Sequence, residues 1–81
     1  MNIEQQISAA EIKVKQLKEE FLKEQERTVQ LLGEPYSSRN RANSVRESFE
    51  RLDVLLELLT TESYHLADLY ELSVLKFRTV H

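Results

Sequence analysis

Eighty-one residues with a net charge of −3 and 41% apolar content make at most one domain, too apolar for a disordered chain and without the basic excess of a dedicated nucleic-acid binder. The absence of cysteine excludes a disulfide framework and any thiolate metal site, and leaves the redox compartment open. A chain this short buries a modest share of its surface, so help from a partner or a second copy is expected.

The first residues, Met1-Asn-Ile-Glu-Gln-Gln6, show no basic start followed by an apolar run, and nowhere do about 18 apolar residues follow one another. The expectation is a soluble cytoplasmic protein with no membrane contact, or one exported without a cleaved signal. From Ile3 a heptad seam runs through Ile7, Ala10, Val14, Leu17, Phe21, Glu24, Thr28 and Leu31, and seven of these nine positions are apolar or alanine. Leu22, Val29 and Leu32 drift to one side of it, as a straight helix of 3.6 residues per turn requires. The pattern predicts one amphipathic helix over about 3–32, roughly 45 Å long at 1.5 Å per residue.

Gly33 and Pro35 are the chain's one glycine and one proline. Gly33 can take the left-handed conformation that ends a helix, and Pro35 cannot continue one, which predicts a turn over 33–43. Ser44-Val-Arg-Glu47 has the form of a capping box, with Ser37 or Ser38 as earlier alternatives for the start of the next helix.

From there the three-four alternation returns as Val45, Phe49, Leu52, Leu56, Leu59, Ser63, Leu66, Tyr70, Ser73, Phe77 and Val80, and its phase survives Thr60-Thr61. Two adjacent β-branched residues cost a helix only some tenths of a kcal/mol each relative to alanine. One helix over about 44–79 is therefore predicted, with a three-helix bundle broken near 60–63 as the alternative.

A short connection makes consecutive helices antiparallel neighbours, so the fold class expected is all-α, a coiled-coil-like helical hairpin. The second helix outruns the first and leaves Val74, Leu75, Phe77 and Val80 without an intramolecular cover. Leu55, Leu58, Glu62, His65, Leu69 and Leu72 form a second line along the same helix. A hairpin covers one seam, so this line, with Phe77, is expected to bind a partner, most simply a second copy in a four-helix bundle.

Three local patterns carry possible chemistry. Glu62 and His65 share a helix face at i, i+3, a spacing used by metal-binding bundles, or they set register where another helix docks. Arg39, Arg41 and Arg46, with Ser37 and Ser38, can hold a phosphate or an acidic partner near a helix start, although Glu47, Glu50 and Asp53 follow at once and suit a solvated turn better. Tyr64-His-Leu-Ala-Asp68, a tyrosine with an acid four residues on, in a hairpin of this size, resembles the export signal of the Trp-x-Gly family of secreted bacterial helical hairpins. The turn here reads Leu31-Leu32-Gly33 without the tryptophan, and the chain is not assigned to that family.

Lys76 and Arg78 near the C-terminus suit the negative end of a helix better than a cationic membrane anchor. No glycine-rich phosphate loop, cysteine nucleophile or triad pattern is present, and two close-packed helices offer little concave space for a substrate. The expectation is a non-enzymatic interaction protein without a cofactor, of the adapter, small secretion chaperone or phage-type inhibitor kind. The alternatives are a metal-binding bundle using Glu62 and His65, and a binder of nucleic acid or an acidic partner through Arg39, Arg41 and Arg46.

Overall fold

In a computed structural model, residues 2–33 and 39–80 are described, with side chains for 2–33 and 42–76. Helix α1 spans Ile3–Gly33 and α2 spans Arg39–Val80, and the two pack against each other along their length. The architecture is the expected all-α hairpin.

The N-terminus of α1 is closed by a reciprocal cap that the sequence spells as Asn2-Ile-Glu-Gln5. The Gln5 backbone N–H donates to Asn2 Oδ1 at 2.8 Å, and the Asn2 N–H donates to Gln5 Oε1 at 3.3 Å. Two backbone donors without intrahelical acceptors are thereby satisfied.

Gly33 ends α1 but no described glycine has a positive φ, so it is not the left-handed cap expected of it. It lies inside the last turn. Helix α2 begins at Arg39, which puts Ser44 and Glu47 within the helix instead of at its start. Residues 39–42, Arg-Asn-Arg-Ala, contain nothing that breaks a helix, so no cap is required at Ser44. Pro35, Ser37 and Ser38 lie outside the described residues.

Every position of the α1 seam read from the sequence is buried or half-buried, from Ile3 to Leu31. Ile12, Leu22, Val29 and Leu32, off that seam, are exposed. On α2 the inward line differs from the one expected. Val45, Leu52, Leu59, Leu66 and Ser73 do face α1, but they alternate with Ser48, Leu55, Glu62 and Leu69, while Phe49, Leu56, Ser63 and Tyr70 stand outside.

The reason lies on α1, whose seam is polar at Glu24 and Thr28. With Phe49 turned inward, its ring would cover those oxygens and leave them unpaired, at a cost of roughly 1–3 kcal/mol for each buried group. Ser48 meets them instead. The register set by Thr28 against Ser48 brings Ile7 level with Leu69, Ala10 with Leu66, Leu17 with Leu59 and Phe21 with Leu55. Ala10 and Leu69, 6% and 3% exposed, are the deepest apolar side chains among the described residues.

Helix α2 is continuous through Thr60-Thr61, and Thr61 Oγ1 donates back to the Glu57 carbonyl at 2.9 Å. Such a bond is made in place of solvation and adds nothing that the helix needs. Thr60→Ala with Thr61→Ala should therefore raise stability to denaturant, by roughly half a kcal/mol per site. A helix starting at these threonines would instead lose about 1 kcal/mol with its cap, and the midpoint would move the other way.

Candidate functional site

The most buried polar side chains among the described residues gather near the turn end of the hairpin. Thr28 and Ser48 are 3% and 0% exposed, and their hydroxyls are in hydrogen-bonding contact across the seam. Thr28 Oγ1 donates to the Glu24 carbonyl at 2.8 Å, and Ser48 Oγ donates to Glu24 Oε1 at 2.8 Å. Arg51 Nε donates to the same carboxylate oxygen at 2.9 Å, closing the layer toward solvent. Two hydroxyl protons serve three contacts, so the set shares its bonds.

First the Ser48 hydroxyl and then the Arg51 guanidinium hold the Glu24 carboxyl below its ordinary value of 4.5, with Arg27 adding to the effect and partial burial opposing it. A carboxylate whose pKa is lower in the folded chain stabilises the fold above its unfolded pKa, and this contribution is lost as the pH falls through the folded value. Acid should therefore loosen the hairpin. In Glu24→Gln the unfolding midpoint should fall less between neutral pH and about pH 3 than it does in the native chain; equal falls would show that Glu24 does not carry the effect.

This layer serves structure. Ser48 has no exposure to a substrate, and Glu24 is already held by two donors. Sequence reading found Glu24 and Thr28 as the two polar members of the α1 seam but had no place for Ser48, which lies on neither apolar line of α2. The available signal was the need of two seam oxygens for a small polar partner.

Along one flank of the hairpin runs an open groove of about 750 Å³ lined by Glu20, Lys23, Arg27, Glu47, Glu50 and Arg51, together with Val54 and Leu55. Further from the turn, a smaller groove of about 290 Å³ brings Lys13, Glu62 and His65 together beside Ala9 and Ala10. Lys13 Nζ donates to Glu62 Oε1 at 2.9 Å.

The line expected to bind a partner is thus divided between inside and outside. Leu55 and Glu62 are half-buried and Leu69 is buried, all within the hairpin, whereas Leu58, His65 and Leu72 are exposed. The Phe77 side chain lies outside the described set, as do those of Arg39 and Arg41, and Arg46 is exposed. Among the described residues no group of three His, Asp or Glu is placed to hold a metal ion, and no helix is long and apolar enough to cross a membrane.

Comparison with protein-family models, curated proteins and solved structures finds no match. Function is therefore read from the hairpin itself. Glu62 occupies a seam position level with Val14 and escapes burial of its charge by reaching out to Lys13, which is 61% exposed. Exposed pairs of this kind contribute about 0.2–1 kcal/mol. A double-mutant cycle on Lys13→Ala and Glu62→Ala, read by chemical denaturation, should return a coupling within that range and leave the helix content unchanged.

Proposed function

We propose that this chain is a small non-enzymatic interaction module that self-associates and binds a protein partner through apolar helix faces. One contrast carries the reading. Among the described residues only Ala10 and Leu69 are buried apolar side chains, while thirteen large apolar side chains, from Ile12 to Leu75, are exposed. Scattered exposed leucines are ordinary on any protein surface, but rows of them at helical spacing along a rod are what helix-to-helix recognition uses.

Leu58 and Leu72, 47% and 55% exposed, stand on the flank that also carries the charged groove. Apolar anchors two heptads apart on one helix suit the apolar face of an amphipathic partner helix. Adapters, small chaperones and inhibitors all use such a surface, and the physics is common to them.

The test is capture from the native host followed by mass spectrometry, run with the native chain and with Leu58→Glu plus Leu72→Glu. A discrete protein should be retained by the native chain and lost by the double variant, with circular dichroism unchanged. Equal retention by both, or none by either, would refute this face as the binding surface.

A further inference from the structure

The two flanks of the hairpin differ in chemistry. In an antiparallel helix pair, the residues flanking the two seams on one side meet each other, and so do those on the other side. Lys13, Arg27, Arg51 and His65 line the grooves of one flank. Helical spacing then puts Leu22, Val29 and Leu32 of α1 together with Phe49, Leu56 and Tyr70 of α2 on the opposite flank. These six are between 46% and 63% exposed.

We propose that a second copy of this chain covers this apolar flank, with α2 lying antiparallel on α2 across a two-fold axis between Leu56 and Ser63. The proposal rests on the reading of the chain as a self-associating interaction module and names the surface used. Three observations argue for a copy of the same chain.

The first is area. The hairpin exposes 6561 Å² and measures 66 × 18 × 14 Å. A compact monomer of its 9.6 kDa would expose about 5,100 Å². The excess, about 1,500 Å² per chain or about 3,000 Å² per pair, falls within the roughly 2,000–5,000 Å² that obligate homodimers bury.

The second is self-complementarity. Phe49, Leu56, Ser63 and Tyr70 recur every seven residues on one line, large at both ends and small at one inner position. Turned about the midpoint, each Leu56 meets the other chain's Ser63 and each Phe49 meets Tyr70. A shallow groove of about 460 Å³, lined by Leu56, Leu59, Thr60, Ser63, Tyr64 and Ala67, lies where the partner's Leu56 would enter. A two-fold interface requires this kind of match of a surface with itself.

The third is charge. Leu56, Thr60 and Ser63, the side chains of this flank nearest the axis, are uncharged, and Asp53, next along it, falls level with the other chain's Leu66 and not with its own copy, so a chain of net charge −3 brings no like charges together there.

Light scattering and oxidative cross-linking test the arrangement on the full chain. The native protein should have the mass of two chains, and Phe49→Glu with Leu56→Glu the mass of one. Because those changes could loosen the hairpin, Ser63→Arg provides a second variant at an exposed site. It sets two like charges at the axis and should also give single chains with undiminished helix content.

The chain has no cysteine, so single substitutions report cleanly. With a mild oxidant, Thr60→Cys should form a cross-linked dimer, while Thr61→Cys, about 100° around the helix, should not. A native mass of one chain, a mass of two retained in Ser63→Arg, or cross-linking of Thr61→Cys in preference to Thr60→Cys would overturn the proposal. A single-chain mass with partner capture still dependent on Leu58 and Leu72 would remove the dimer and leave the interaction module standing. A two-chain mass with capture indifferent to those leucines would do the reverse.

Discussion

The contact of Ser48 with Thr28 and Glu24 fixes the register on which the rest of this hairpin depends. Apolar heptads alone are degenerate in steps of seven residues, since a slip of two turns again sets leucine against leucine. The polar layer breaks that degeneracy. A slip by one heptad would leave Ser48 level with Phe21 in one direction, or Thr28 level with Leu55 in the other, and in either case a buried hydroxyl would face an apolar side chain in place of its partner. Removing one partner from a buried hydrogen bond costs about 1–3 kcal/mol, a large share of the stability a chain of this size can have. Arg51 completes the arrangement by giving the Glu24 charge an opposite charge at the edge of the seam.

How legible this was differs between the two helices. On α1 a single apolar stripe had no competitor, and all nine positions read from spacing face inward. On α2 leucines occupy a wide arc, and Val45, Leu52, Leu59 and Leu66 belong equally to two lines. Hydrophobicity alone favours the line through Phe49, Leu56 and Tyr70. The helix instead turns Ser48, Leu55, Glu62 and Leu69 inward, because the facing surface presents Glu24 and Thr28. Which stripe of a helix is buried is thus a property of the pair of helices, and a reading of α2 by itself could not contain it. The cap at Asn2-Ile-Glu-Gln5, by contrast, was fully local and could have been read from four residues.

The same dependence governs the Glu62–His65 pattern. Spacing of i, i+3 does place both residues toward one groove, where they lie with Lys13. Yet Glu62 is an inward position and His65 a flanking one, so the carboxylate is drawn across to the neighbouring helix while the imidazole stays in solvent. A two-residue motif fixes proximity. Its chemistry is decided by the third group that the opposite helix supplies, here an ammonium.

Register also determines what is left outside. Level pairing of Ile7 with Leu69 puts the start of α1 beside about Ser73, so Val74 and Leu75 extend past it, 52% and 48% exposed. Turning Ser48 inward turns Phe49 and Leu56 outward, and each such side chain, if fully buried, would contribute about 1.5–3 kcal/mol. The hairpin gives up that burial in exchange for a unique alignment. The radius of gyration of 18.5 Å, against about 11.7 Å for a compact chain of this length, expresses the same choice in shape. A rod two helices thick has no third layer in which to hide its flanks. The free energy withheld from folding by the polar layer would be available to the second copy proposed to cover Phe49 and Leu56, and in that arrangement stability of the fold and strength of association would be set by the same few side chains.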